Sequence, residues 1–268
     1  MAMPAPMSDR PLSHLGVVIT RPAHQAETLC ARIEDAGGRA IRFPVLEILD
    51  PIDRAPLIRQ IDQLETFDLA IFISPNAVHK VMNLVKARRS WPANVRIAAI
   101  GAKSARALEQ SGLTVDIRPG RRFDSEALLE APELQDMAGR RVIIFRGDGG
   151  REMLGDTLRA RGAEVVYANA YRREKPSGDN GALLYHWSRG EVGVVMVTSA
   201  EGLHNLFDMV GKLGQMWLRK TPLILGSARL AETARELGHQ LPPIVAEDPS
   251  DEAMFDALSN WASHRDAT

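Results

Sequence analysis

Short runs of apolar residues recur along the chain, and each is followed by a turn and then by a helical pattern of apolar and polar positions. The runs are residues 17–19, 69–73, 97–100, 142–145, 194–197 and 223–225. They are apolar throughout, as expected for parallel strands that helices cover on both faces. The pattern therefore predicts an α/β fold with parallel sheets.

The two halves of the chain resemble each other at a shift of 125 residues. The related pairs are Arg21 and Arg146, Glu27 and Glu152, Leu29 and Leu154, Gly37 and Gly162, Ser74 and Ser199, His79 and His204, and Gly101 and Gly226. A repeat of this length indicates two similar domains and not a solenoid. Each copy contains enough predicted strands for one small doubly wound sheet.

Two long segments rich in β-prone residues leave the first β-α-β unit of each copy. They are residues 41–47 and 165–172. Since both are extended, we expect them to run side by side as a two-stranded connector.

Composition narrows the classes of protein to which the chain could belong. Hydrophobic residues make up 45% and charged residues 25%, as in ordinary soluble globular proteins. The 33 basic and 34 acidic residues nearly cancel, which argues against a nucleic acid as main partner. The single cysteine, Cys30, allows no internal disulfide and no metal-ligand spacing, so we expect no metal site and a cytoplasmic location.

The start of the chain lacks the apolar core of a signal peptide, and we expect residues 1–11 to be a disordered tail. No later stretch approaches the roughly 18 apolar residues of a membrane span, so we expect no membrane partner.

Polar residues occupy the turns after the predicted strands, where an open α/β sheet binds its ligand with helix N–H groups. The candidate binding residues are Arg21, Ser74, Ser104, Arg146, Gly147, Thr198, Ser199 and Ser227. Helix capping alone would explain Ser74 and Ser199, so the case for a site depends on the number of such turns. The run 147–150 does not match G-x-G-x-x-G and no Walker motif is present, so we expect no nucleotide cofactor.

Three further residues have both a structural and a chemical interpretation. His79 and His204 have apolar neighbours in the sequence, and we expect them to pack and not to catalyse. Tyr171 lies in the predicted connector, so we expect it to face the cleft between domains and not a core. Its phenol is a neutral donor at pH 7, suited to protonating a leaving oxygen. The alternative is a half-exposed interfacial tyrosine.

Several short motifs occur in a fixed order along the duplicated chain, at residues 18–22, 43–44, 101–105, 146–151, 160–165, 171–172 and 197–199. Together they resemble the uroporphyrinogen-III synthase family, and the likeness runs from about Leu15 to Leu258. The resemblance implies two similar doubly wound, flavodoxin-like parallel-sheet domains joined by a two-stranded β ladder. It places residues 12–45 and 173–268 in one domain and residues 46–172 in the other.

The same resemblance implies a cofactor-independent lyase, a cyclising hydro-lyase of tetrapyrrole and haem biosynthesis. Its substrate would be linear hydroxymethylbilane, closed to uroporphyrinogen III through a spiro intermediate that inverts ring D. Helix N-termini would bind the eight substrate carboxylates. Tyr171 matches the tyrosine proposed to assist departure of the hydroxyl, and Ser104 stands where the family usually has threonine. Leu230 occupies the related position of the second copy, so Ser227 or backbone would supply any hydrogen bond there.

One alternative of a different class is a two-domain protein that closes on an anionic ligand without reacting. A pair of receiver-like domains is disfavoured, since the strands end in Arg21, Ser74, Gly101 and Arg146 instead of clustered aspartates. The oligomeric state stays open; a monomer, and a handover of substrate from hydroxymethylbilane synthase, are both compatible with the resemblance.

Overall fold

A computed structural model describes residues 11–120, 124–150 and 152–265 of the chain. The chain divides into two compact units, which we call unit 1 (Met1–Glu47 and Glu174–Thr268) and unit 2 (Ile48–Arg173). The predicted disordered tail, residues 1–11, lies outside the described residues except for Pro11. None of the described helices is long and apolar enough to cross a lipid bilayer.

Strands and helices alternate along the described chain. The strands are β1 (Gly16–Ile19), β2 (Arg39–Arg42), β3 (Glu47–Leu49), β4 (Leu69–Phe72), β5 (Arg96–Ala99), β6 (Arg141–Gly147), β7 (Glu164–Glu174), β8 (Val194–Val197), β9 (Leu223–Leu225) and β10 (Ile244–Val245). The helices are α1 (Ala23–Asp35), α2 (Ala55–Asp62), α3 (Pro75–Arg88), α4 (Ala102–Gln110), α5 (Ser125–Leu129), α6 (Met153–Ala160), α7 (Gly181–Ser188), α8 (Ala200–Met209), α9 (Gly211–Leu218), α10 (Arg229–Glu236) and α11 (Asp251–Arg265).

Unit 1 is a sheet of order β10-β9-β8-β1-β2 with parallel pairs and a hydrophobic core on each face. Because successive strand residues point to opposite faces, Val18 packs with α7 to α10 while Val17 and Ile19 pack with α1 and α11. Cys30 is fully buried in the second of these cores, as expected for a small hydrophobe. Burial raises the pKa of its thiol.

Unit 2 is a sheet of order β3-β7-β6-β4-β5, and the pairs β7-β6, β6-β4 and β4-β5 are parallel. Helices α2, α3 and α4 cover one face, where Phe72 stacks on Phe145 with ring centroids 4.9 Å apart. Helices α5 and α6 cover the other face around Ile71 and Ile144. The predicted α/β class with parallel sheets is therefore confirmed.

The two sequence copies are interleaved in the sheets. Unit 1 combines β1 and β2 of the first copy with β8 to β10 of the second, and Val18 pairs with Val195. Unit 2 combines β4 and β5 of the first copy with β6 and β7 of the second, and Ile71 pairs with Ile144. In both units a strand from one copy therefore forms the centre of the sheet beside a strand from the other.

The expected extended segment 41–47 is interrupted in the structure. Strand β2 ends at Arg42 and β3 begins at Glu47, so residues 43–46 belong to neither strand. Phe43 and Val45 turn inward and are buried in the core of unit 1. Pro44 lies between them and has no backbone N–H to donate to a sheet ladder, which is the physical reason that the segment does not continue as one strand.

His79 and His204 are both exposed, so the expectation that they pack in the interior is wrong. Each lies on a helix whose opposite face is buried; in α3 that face carries Val78, Val81 and Val85. The apolar neighbours along the sequence therefore point away from the histidines.

An ion cluster at the surface of unit 1 gives a pH-dependent stability. Arg39, Arg189 and His186 bond the Glu191 carboxylate, and these contacts lower its pKa to about 2. Because the folded pKa lies below the unfolded value of about 4.3, the stabilisation is complete above that value and is lost as the pH falls toward 2. We expect Glu191→Gln to lower the melting temperature at pH 7 and to lose this effect near pH 2.

Thermal unfolding of both proteins between pH 7 and pH 2 measures this difference. Glu27→Gln, which removes one exposed 3.5 Å ion pair to Arg42, is the control and should change the melting temperature little. An effect of Glu191→Gln that is equal at pH 7 and pH 2 would contradict the expectation.

Candidate active site

The carboxyl ends of β4 and β6 mark the point in unit 2 where consecutive connections leave for opposite faces of the sheet. Strand β4 leads to α3 on one face, and β6 leads to α6 on the other. Such a switch point leaves a crevice in which open α/β sheets bind their ligands. The residues at this point are Ser74, after β4, and Arg146 and Gly147, at the end of β6.

Ser74 caps helix α3 with its side chain. Its Oγ accepts a hydrogen bond from the Ala77 N–H at 3.2 Å, and Pro75 occupies the first helical position. The capping interpretation is confirmed, and so is the matching one for Ser199, whose Oγ accepts from the Gly202 N–H at 3.0 Å. Ser74 has a second partner, because its Oγ lies 3.1 Å from the phenol oxygen of Tyr171.

A β-bulge directs Tyr171 toward Ser74. Along the β6–β7 pair, Arg146 lies opposite Asn169 but Gly147 lies opposite Tyr171, so Ala170 is an additional residue. The bulge turns Ala170 and Tyr171 into the same core of unit 2. Tyr171 is only 6% exposed, and the expectation that it lies outside a core is therefore wrong.

The position of the phenol depends on the absence of a side chain at residue 147. A Cβ added to Gly147 would lie 2.7 Å from Cε2 of Tyr171, which is closer than two non-bonded carbon atoms approach in proteins. Two hydrogen bonds of Asp148 also hold the backbone at and after Tyr171. The Asp148 N–H donates to the Tyr171 carbonyl at 2.9 Å, and the Asp148 carboxylate accepts from the Arg173 N–H at 3.1 Å.

Tyr171 lines a pocket of about 280 Å³ in unit 2. Its other walls include the polar residues Gln60, Asp148, Asn169 and Arg172. Tyr171 is thus buried against its own core and also borders a pocket whose walls carry both apolar and polar side chains. This combination places a proton donor where a ligand of unit 2 could reach it.

Arg146 is buried on the opposite face of the sheet, and part of its guanidinium has no hydrogen-bond acceptor among the described residues. It is 8% exposed, and its guanidinium lies 4.0 Å from the ring centroid of Tyr167. Nη2 is 3.9 Å from the Glu152 carboxylate. Within the described residues, Nε and Nη1 are buried and have no hydrogen-bond partner. An additional anionic acceptor would therefore stabilise this side chain.

Ser104 is the remaining candidate of unit 2. It lies in the first turn of α4, after β5, and is 2% exposed. In the part of the chain that the structure describes, no hydrogen bond joins it to the Ser74–Tyr171 pair.

In unit 1, the candidates lie after β1, β8 and β9. Arg21 donates to the Asp251 carboxylate and, at 2.6 Å, to the Pro249 carbonyl, so its guanidinium holds the start of α11. Thr198 is half-buried beside Gly226, and Ser199 and Ser227 are exposed. The guanidinium of Arg21 thus has close acceptors, whereas Nε and Nη1 of its repeat-related counterpart Arg146 have none among the described residues.

Three residues that contact the candidate residues were not predicted from the sequence: Asp148, Tyr167 and Asp251. Asp251 follows Pro249 and Ser250, a helix-start pattern that could have indicated it. No pattern in the sequence indicates the contacts of Asp148 and Tyr167. Among the described residues, no group of three or more His, Cys, Asp or Glu side chains could hold a metal ion.

Comparison with known proteins gives one consistent family. The family model described as uroporphyrinogen-III synthase HemD matches residues 27–256. A uroporphyrinogen-III synthase of Escherichia coli is 37% identical over 246 residues, which cover 91% of this chain and 100% of the relative. One of Salmonella typhimurium is 38% identical over 248 residues, covering 91% and 100%.

A solved structure shows the same fold. The crystal structure of a mutant uroporphyrinogen III synthase from the extremely thermophilic bacterium Thermus thermophilus superposes with a TM-score of 0.61 at 22% identity. The superposition covers 94% of this chain and 99% of that one.

Proposed function

The chain belongs to the uroporphyrinogen-III synthase family, and from that premise we propose how its residues close hydroxymethylbilane to uroporphyrinogen III. The chain has the function of a uroporphyrinogen-III synthase, an enzyme of porphyrin biosynthesis. We propose that the reaction is that of a cofactor-independent cyclising lyase and that the candidate residues described above perform it.

We propose that units 1 and 2 are two doubly wound, flavodoxin-like domains. Residues 12–45 with 173–268 form one domain and residues 46–172 form the other. The strand order of each sheet supports this, because in both units the two central strands lead to helices on opposite faces. Strands β3 and β7, neighbours in one sheet, are the proposed two-stranded ladder.

Substrate binding would depend on local donors, since the chain has 33 basic and 34 acidic residues. The turns after β1, β4, β5, β6, β8 and β9 provide helix N–H groups and small polar side chains for carboxylates. Arg146 supports this assignment most directly, because it has buried donors without an acceptor among the described residues. Arg21 would act mainly by holding α11, since Asp251 already pairs with it.

Tyr171 would donate its proton to the terminal hydroxyl of hydroxymethylbilane. The carbon–oxygen bond then breaks with its electron pair, water leaves, and an electrophilic azafulvene remains that keeps its ring N–H proton and so carries a positive charge. Attack by the substituted carbon of ring D gives the spiro intermediate, which fragments and recloses with that ring inverted. Beyond this proton, the main task of the protein is to hold one conformer so that direct ring closure does not compete.

The arrangement of residues around Tyr171 in unit 2 is the strongest support for this function. A bulge, a glycine without which the ring would not fit, and a capping serine all fix one phenol at the border of a pocket. Non-catalytic anion binding would not require a positioned phenol, so this alternative is not favoured.

A coupled assay tests the function. Hydroxymethylbilane is generated in place, the products are oxidised, and the uroporphyrin isomers are separated by chromatography. We expect predominantly the type III isomer. Type I isomer alone, formed at the rate measured without protein, would refute the synthase activity and leave the anion-binding alternative.

A further inference from the structure

The hydrogen bonds of Ser74 have a direction that bears on catalysis. A hydroxyl has one hydrogen to donate and two lone pairs to accept with. Since the Ala77 N–H donates to Ser74 Oγ at 3.2 Å, the Ser74 hydrogen can point to the phenol oxygen, 3.1 Å away. With this orientation, the phenol keeps its own hydrogen for a ligand.

We propose that Ser74 is a positioning residue for Tyr171, and that its O–H stabilises the phenolate formed when Tyr171 protonates the leaving hydroxyl. The inference rests on the proposed function of Tyr171. In that step the phenol proton passes to the hydroxyl oxygen, the carbon–oxygen bond breaks with its electron pair, and water departs. The phenolate later takes back the proton that ring D releases when the macrocycle regains its aromatic pyrrole.

The location of Ser74 strengthens its effect on a phenolate. Ser74 is the N-cap of α3, a helix of 14 residues, so the phenol oxygen, 3.1 Å from Ser74 Oγ, lies near the positive end of the helix dipole. A hydrogen bond to a charged acceptor is roughly twice as strong as one between neutral groups. Both effects grow as the proton leaves, and they therefore stabilise the transition state more than the ground state.

The sequence repeat shows that capping alone does not require this pair. Ser199, related to Ser74, caps α8 in the same way. The residue related to Tyr171 by the same shift is Leu46, so unit 1 has the serine without the phenol. The Ser74–Tyr171 contact therefore goes beyond the capping that both copies share.

Ser74→Ala is expected to lower kcat for type III formation about 10- to 100-fold, with KM changed less than threefold. Ser74→Thr keeps the hydroxyl and the cap, and it should restore kcat to within about threefold of wild type. Ser250→Ala is the matched control, because Ser250 caps α11 by accepting from the Ala253 N–H at the same 3.2 Å, far along the chain from Tyr171. It should lose similar stability and keep kcat.

A double-mutant cycle separates positioning from general damage. In the Tyr171→Phe background, Ser74→Ala should lower kcat no further than Ser250→Ala does. Effects of Ser74→Ala that multiply with those of Tyr171→Phe, or a kcat of Ser74→Ala equal to that of Ser250→Ala, would overturn the proposal. If the wild-type enzyme forms the type III isomer while either of these two results is obtained, the proposed function is retained and only the role of Ser74 is refuted.

Discussion

Tyr171→Phe should lower kcat for formation of type III uroporphyrinogen about 100-fold, at the lower end of the range for loss of a general acid. The ring still fills its place beside Gly147, since phenylalanine differs only in the missing oxygen. The variant should remain folded, because the lost hydrogen bond to Ser74 contributes about 1 kcal/mol to the free energy of unfolding. KM should stay within a few fold, since the carboxylate-binding turns are intact.

The coupled assay with initial rates measures this effect, together with thermal unfolding of the variant. Tyr185→Phe is the control, because Tyr185 is 59% exposed on α7 and borders none of the candidate residues. It should leave kcat and KM unchanged. Wild-type kcat in Tyr171→Phe would show that the hydroxyl departs without this phenol, and that positioning of the substrate alone accounts for catalysis.

Arg146→Met should raise KM about 10- to 100-fold without lowering the free energy of unfolding. The KM effect corresponds to loss of one charged hydrogen bond to a substrate carboxylate. Stability should hold because each buried donor without an acceptor costs about 1–3 kcal/mol, and methionine removes that penalty while still packing on the Tyr167 ring. Steady-state kinetics and denaturant unfolding on the same preparation give both values.

The repeat-related arginine provides the contrasting case for stability. Arg21→Met removes the ion pair with Asp251 and the bond to the Pro249 carbonyl, so it should lower the free energy of unfolding by about 1–3 kcal/mol. If instead Arg146→Met destabilised the protein as Arg21→Met does and left KM unchanged, Arg146 would be a structural residue.

The strands could be predicted from the sequence because parallel strands covered by helices leave a local mark. The run 194–197 coincides with β8, and the run 223–225 coincides with β9. Strand β10 has only two residues, and β3 begins with the charged residue Glu47, so neither contains a run of three apolar residues. The interruption at residues 43–46 was not predicted, because Ile41, Phe43 and Val45 favour a strand although Pro44 has no N–H for a ladder.

The candidate site was predictable only in part. Turn residues such as Ser74 and Gly147 follow from the strand ends, and both lie at the switch point of unit 2. The bulge at Ala170 was not predictable, because it depends on the register between β6 and β7, which no local pattern records. A register shift of one residue moves a side chain to the other face, and this is how Tyr171 came to lie in a core. The missing acceptors of Arg146, among the described residues, likewise depend on three-dimensional neighbours.

The interleaving of the two copies also sets the order in which the protein can be assembled on the ribosome. Unit 2 is one continuous stretch, Ile48–Arg173, whereas unit 1 needs both ends of the chain. When Arg173 has been synthesised, every strand of the second sheet except the last residue of β7 is present, but β1 still lacks its partner β8. At ~5–20 residues per second, β8 is complete at Val197 roughly 1 to 5 seconds after Arg173, and until then β1 lacks this neighbour. Until then, the apolar side chains of β1 and α1 that pack against β8 in the folded protein are exposed, and this is the surface of the nascent chain that a ribosome-associated chaperone would cover.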